Sequence, residues 1–165
     1  MDINHPDDSD MPERSPDLSG ARILVVEGDE EVRDLTAYVL RWCGAVVTPV
    51  AAARTAMDAV GRDRPDIVVT DVFLPAQDGY WLAEQLHATG VEIPVIALTA
   101  LRPGQHAFGR PERFRSYVFK PIDPGRLCRA VGDALLSCIG AAGPSAIRSQ
   151  EPLTNRQLKA LPFGS

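Results

Sequence analysis

Four short apolar runs in this chain each close on a polar side chain able to hold or transfer charge. Glu27 follows Val25-Val26, Asp71 follows Val68-Val69-Thr70, Thr99 follows Ala97-Leu98, and Lys120 follows Val118-Phe119. Taken singly, each has an ordinary explanation: a carboxylate at a strand end caps, a threonine hydroxyl bonds backbone, a lysine sits in water. Taken together, two carboxylates, a hydroxyl and an ammonium at one rim are what phosphorylation of an aspartate requires. Glu27 and Asp71 can hold Mg²⁺, which commonly uses one or two carboxylates with phosphate oxygens and water. Phosphoryl transfer depends on positioning and charge neutralisation, and Lys120 would supply a cation from the other side.

For these residues to meet, the apolar runs must lie side by side. Ile23-Leu24-Val25-Val26 and Ile67-Val68-Val69 read as strands buried on both faces, residues 45–47 as a weaker strand, and Val95-Ile96-Ala97-Leu98 and Tyr117-Val118-Phe119 as two more. Helical spacing separates them. Val32, Leu35, Tyr38, Val39 and Trp42 recur at three- and four-residue steps before Gly44, and residues 52–61 form an Ala-rich helix ending at Gly61. Residues 79–88 place Leu82 and Leu86 inward, and a final helix over about 124–139 aligns Leu127, Val131, Ala134 and Cys138. Strand and helix alternating in this way mean βαβ units and a parallel sheet, in which ligands bind beyond the carboxyl ends of the strands. The fourth crossover carries Pro103, Gly104, Gly109 and Pro111, so its helix is expected to be short or irregular.

Outside this region the composition changes. Residues 1–20 hold three prolines and six acids with few large apolar side chains, and are expected to be a disordered acidic tail; residues 141–165 are expected to be a flexible C-terminal tail. Between them, 21–140 form one domain. The 165-residue chain is 45% hydrophobic and 24% charged, an ordinary globular balance. Its net charge of −5 disfavours direct binding to nucleic acid or anionic membranes, which select basic surfaces. Cys43, Cys128 and Cys138 make no CxxC pair and read as reduced core thiols. The acidic start and the lack of a long apolar run point to a cytoplasmic protein.

The motifs resemble one family, the receiver domain of bacterial two-component response regulators, over about residues 21–139. Asp66-Ile-Val-Val-Thr-Asp71-Val-Phe-Leu-Pro75-Ala-Gln-Asp78-Gly79 is similar to its phosphoacceptor strand and following loop. Pro94-Val-Ile-Ala-Leu-Thr99-Ala100 resembles its switch strand, and Tyr117-Val-Phe-Lys120-Pro121 its last strand, with a cis proline expected after Lys120. The resemblance implies a flavodoxin-like doubly wound α/β fold with five parallel strands in the order 2-1-3-4-5. It further implies Asp71 as phosphoacceptor, Lys120 and Thr99 as its catalytic neighbours, and Thr99 and Tyr117 as the switch pair. The implied metal ligands for Mg²⁺ are Glu27, Asp71 and the backbone carbonyl of Phe73.

A receiver of this kind is a signalling module, not an enzyme. It takes its phosphoryl group from a sensor histidine kinase or a histidine phosphotransfer protein. With no effector domain evident in the sequence, output is expected to pass to an unknown downstream protein. One position departs from the family, whose first strand usually ends in two adjacent acids. Here the pair is Glu27-Gly28, so Mg²⁺ is expected to bind weakly. Asp29, Glu30 and Glu31 read instead as the acidic first turn of a helix. The alternative function is a silent receiver, an interaction module that no longer takes phosphate. An aspartyl-nucleophile phosphatase would want a second acid where Phe73 sits, and no Gly-rich phosphate loop is present to support a nucleotide or flavin site.

Overall fold

Buried β-branched residues build the centre of the molecule. The computed structural model describes residues 15–101 and 111–139. Its strands are β1 (Arg22–Val26), β2 (Val46–Val50), β3 (Ile67–Asp71), β4 (Val95–Thr99) and β5 (Ser116–Phe119). They form one parallel sheet in the order β2-β1-β3-β4-β5. Every residue of β3 and of β4 is buried, as strands covered on both faces require. The register sets Val26 beside Thr70, Asp71 beside Leu98 and Thr99 beside Phe119, so the polar residues that close the strands arrive at one edge.

Helices α1 (Glu30–Trp42) and α4 (Pro124–Ile139) share a core with Ile23, Val25, Ile67, Val69, Ile96 and Leu98 on one face of the sheet. On the other face, α2 (Ala53–Asp63) and α3 (Gly79–Ala88) pack over Leu24, Val26, Val68 and Ala97. This is the doubly wound flavodoxin-like arrangement. The expected irregular helix of the fourth crossover falls mostly on residues 102–110, outside the described residues; a 3-10 turn, Pro111–Arg113, leads into β5.

Several boundaries differ from those expected. The acidic segment does not run to residue 20, because Leu18 is buried in the α1/α4 core, its N–H donates to the carbonyl of Cys43, and Pro16 lies against Gly132 of α4. Burying one leucine is worth about 1.5–3 kcal/mol, enough to dock a short stretch of otherwise polar chain. Residues 1–14 and the expected C-terminal tail at 141–165 lie outside the described residues. Helix α2 passes through Gly61 and stops at Arg64, which takes a left-handed φ of 48°. Glycine costs a helix only about 1 kcal/mol, whereas Pro65 disfavours α geometry in the residue before it. Strand β2 continues beyond Val47 to Val50 despite Pro49, because it is an edge strand and needs hydrogen bonds on one side only.

The apolar positions of α1 do not all turn inward. The helix buries Thr36, Ala37, Val39 and Leu40 and leaves Leu35, Tyr38 and Trp42 on the surface, Trp42 at 79% exposure. Small residues let α1 approach the sheet, and Thr36 satisfies its buried hydroxyl by donating to the carbonyl of Val32 at 2.7 Å. The three cysteines are free thiols. Burial, reinforced by the neighbouring Cys43 thiol, pushes Cys128 up to about 12, which keeps it protonated and inert at neutral pH.

Candidate functional site

The ends of β1, β3 and β5 bring Glu27, Asp71 and Lys120 into one hydrogen-bonded cluster. Lys120 Nζ donates to Glu27 Oε2 at 2.8 Å and to Asp71 Oδ2 at 2.9 Å. Glu27 is only 2% exposed and the Asp71 side chain 9%, so water does little to screen the two carboxylates from each other. Lys120 is held well by this pair. Burial pulls its ammonium pKa down, but the hydrogen bonds and charges of Glu27 and Asp71 outweigh that and leave it raised. The remaining oxygens meet backbone donors: the N–H of Asp29 reaches Glu27 Oε1 and the N–H of Phe73 reaches Asp71 Oδ1, each at 3.0 Å.

Local sequence explains how the loops hold this shape. The turn after Asp71 folds back so that the N–H of Gly79 donates to the carbonyl of Val72, and a Cβ at Gly79 would lie 2.4 Å from the Asp71 carbonyl oxygen. Only glycine fits there. Asp78 then caps α3 by accepting from the N–H of Trp81, and Asp29 caps α1 by accepting from the N–H of Val32. Asp29, Glu30 and Glu31 therefore open a helix, and Glu30 and Glu31 are exposed. The Lys120–Pro121 peptide is cis.

Thr99 and Tyr117 stand near the cluster without joining it. Thr99 is buried at the end of β4, where its hydroxyl accepts from the N–H of Leu101, while the N–H of Lys120 donates to its carbonyl. Tyr117 packs on the α2/α3 side, in an edge-to-face contact with Phe114 at 5.5 Å between ring centres. Burial chiefly, and then Tyr80 and Glu112, raise its phenol pKa, so it stays neutral well beyond physiological pH. Two participants went unread in the sequence. Arg33 reaches back from α1 to the carbonyls of Glu27 at 2.9 Å and Gly28 at 3.4 Å. Phe114 stacks between Tyr80 and Tyr117.

The donor set suits a hard cation only sparingly. Glu27 and Asp71 supply two carboxylates, and each oxygen keeps acceptor capacity beyond the single hydrogen bond it receives. Among the described residues no group of three or more His, Cys, Asp or Glu could hold a metal ion. Two carboxylates nonetheless lie within the usual Mg²⁺ requirement. The site therefore presents two buried carboxylates with an ammonium fixed between them.

A doubly wound sheet with a charged cluster at its carboxyl edge places the molecule among flavodoxin-like α/β proteins with a site at the strand ends. The family comparison gives it a name: residues 23–132 match the response regulator receiver domain, and the chain belongs to that family. It is 37% identical over 117 residues to an uncharacterized 14.6 kDa protein from the sodA1 3′ region of Leptolyngbya boryana, covering 69% of this chain and 89% of that protein. It is 42% identical over 79 residues to the response regulator MprA of Mycolicibacterium vanbaalenii, covering 48% of this chain but 34% of MprA. The chain thus spans about a third of the length of its MprA relatives. Among solved structures, the receiver domain of the sensor histidine kinase PA1611 of Pseudomonas aeruginosa, with a magnesium ion in its active-site cleft, superposes with a TM-score of 0.65 at 29% identity. That match covers 71% of this chain and 98% of the other. Receiver domains are generally non-enzymatic signalling modules of two-component systems. No described helix is long and apolar enough to cross a membrane.

Proposed function

We propose that Asp71 accepts a phosphoryl group from a sensor histidine kinase or a histidine phosphotransfer protein, and that the phosphorylated domain signals through protein contacts. The observation that carries this reading is the single ammonium of Lys120 shared between Glu27 and Asp71. In the transfer, an Asp71 carboxylate oxygen forms a bond to phosphorus as the donor's P–N bond breaks, and the electron pair of that bond leaves with the donor imidazole. Lys120 orients the carboxylate beforehand and offers its ammonium to the incoming oxygens. Glu27, Asp71 and the carbonyl of Phe73 would hold Mg²⁺, which when bound neutralises charge on the phosphoryl oxygens. Thr99, on the neighbouring strand, would donate its hydroxyl proton to a phosphoryl oxygen, a role left open while its oxygen accepts from the N–H of Leu101, and Tyr117 would follow it. The test is incubation with a small phosphodonor with and without Mg²⁺, read by intact mass. A Mg²⁺-dependent phosphoryl adduct is expected. No adduct under either condition would favour the silent receiver, a reading supported by Gly28 and the sparse donor set.

Gly28 decides how strongly the cation is held. Gly28→Asp should tighten Mg²⁺ binding on the order of tenfold, because affinity follows the number of charged ligands. A Cβ at this position lies 3.2 Å from Cδ of Pro75, so Pro75 must give by a few tenths of an ångström and metal-free stability should fall modestly. Calorimetric titration with Mg²⁺ and urea unfolding check the two effects. Equal Mg²⁺ affinity in both proteins would mean that position 28 does not face the cation.

A further inference from the structure

Helix α1 carries an apolar stripe that the sheet does not use. Leu35, Tyr38 and Trp42 follow one another at steps of three and four residues, so they share one side of the helix, turned away from the buried Thr36 and Leu40. They are 52%, 63% and 79% exposed. The Tyr38 and Trp42 rings pack together with their centres 6.5 Å apart, and the exposed Asp34 and Arg41 flank the stripe along one edge. Aromatic side chains present about 150–250 Å² each, so at these exposures the three residues leave roughly 400 Å² of apolar surface in water. A patch of that size on one face is commonly a binding surface. We propose that α1 pairs with α1 of a second copy of this chain, antiparallel about a two-fold axis beside Tyr38.

The order of charges along the helix selects this occupant. Helix α1 is acidic where it starts, with Glu30, Glu31 and Asp34, and basic in its last turn, with Arg41. Two helices that cross at a two-fold axis run either parallel or antiparallel. Parallel pairing sets Asp34 against Asp34 and Arg41 against Arg41. Antiparallel pairing centred on Tyr38 instead sets Asp34 opposite Arg41 of the second copy and Leu35 opposite its Trp42, each twice over, and lets the two helix dipoles oppose. The patch is complementary to itself. Arg41 already donates to the carbonyl of Val47 at 3.2 Å, but a guanidinium has five donors and others remain for the second copy. Area sets the strength. Covering the stripe on both copies removes roughly 800 Å² of apolar surface, and the flanking charged side chains bring the total to about 1,200 Å², where stable interfaces give way to weak ones. A dissociation constant of about 100 µM is expected for an interface of this size. The pairing needs no phosphoryl group, so it stands apart from the proposed function.

Sedimentation of the full chain between about 10 µM and 1 mM reads the association. The weight-average mass should climb from 17.9 kDa toward twice that value and no further. Trp42→Ala should raise the dissociation constant on the order of thirtyfold, as loss of a central tryptophan does, while its exposed position leaves the fold intact. Asp34→Arg and Arg41→Asp should each weaken self-association by about tenfold, because each brings like charges together at two places. Mixing those two variants should restore it, since every altered side chain then meets its opposite. Rescue on mixing also requires both variants to be folded. A parent that keeps the mass of one chain up to about 1 mM would overturn the proposal and leave the face to a different protein. So would a mass that rises past two copies, which marks an open assembly, or an association that Trp42→Ala leaves unchanged, which places the contact elsewhere.

Discussion

Asp71→Asn is expected to gain no phosphoryl mass under conditions that label the parent to completion. The amide is isosteric with the carboxylate and its oxygen can keep the 3.0 Å hydrogen bond from the N–H of Phe73, so the loop after β3 should stay in place. What disappears is the nucleophile, because an uncharged amide oxygen cannot form the acyl phosphate. Stability should change by less than about 1 kcal/mol. Lys120 keeps Glu27 as an ion-pair partner at 2.8 Å, and two crowded carboxylates become one, which offsets the lost charge-assisted bond. Loss of labelling with retained stability separates a chemical role for Asp71 from a structural one. A variant that still takes up phosphate would place the acceptor on another residue.

Glu27, Asp71 and Lys120 were legible in the sequence because each closes an apolar run, and in a parallel sheet the ends of such runs converge. The parallel sense of the sheet followed from the alternation of strand and helix, whereas the strand order came from the resemblance to receiver domains. Arg33 was not legible. Its contact with the carbonyls of Glu27 and Gly28 depends on how the turn into α1 folds back, and a cation one turn into a helix reads as solvent-facing. The buried face of α1 was not legible either. Leu35, Tyr38 and Trp42 and the buried Thr36, Ala37 and Leu40 both step at helical intervals, and hydrophobicity favours the first set. The helix packs on the sheet through the second set together with Val39. Leu18 stood alone among polar residues, so no periodicity could announce that it enters the core. Helix α2 carried a glycine that looked like a terminus, but the operative stop was the proline four residues later.

Lys120→Met should cost far more stability than Asp71→Asn, and it should slow labelling as well. The parent sign is simple. The folded ammonium has its pKa raised above the ordinary value of 10.5, so its stabilising contribution is complete below that pH and is lost as pH climbs through the folded pKa. Alkaline titration therefore weakens the parent only above about pH 10.5. Removing the cation at neutral pH is another matter, since Glu27 and Asp71 are left facing each other with little exposure to water. Breaking a fully buried ion pair costs about 3–5 kcal/mol. The Lys120 side chain retains 22% exposure, which allows water to screen the site and lowers the expectation to about 2–4 kcal/mol. Transfer to Asp71 should slow by about 10²–10³, the usual loss when one fixed donor to developing charge is removed. Urea unfolding at neutral pH measures this deficit. Adding Glu27→Gln to Lys120→Met should restore most of the lost stability while leaving labelling slow, a coupling that a double-mutant cycle measures directly. A deficit that survives the second substitution would trace the damage to lost packing of the lysine stem, and the carboxylate pair would not be what Lys120 holds together.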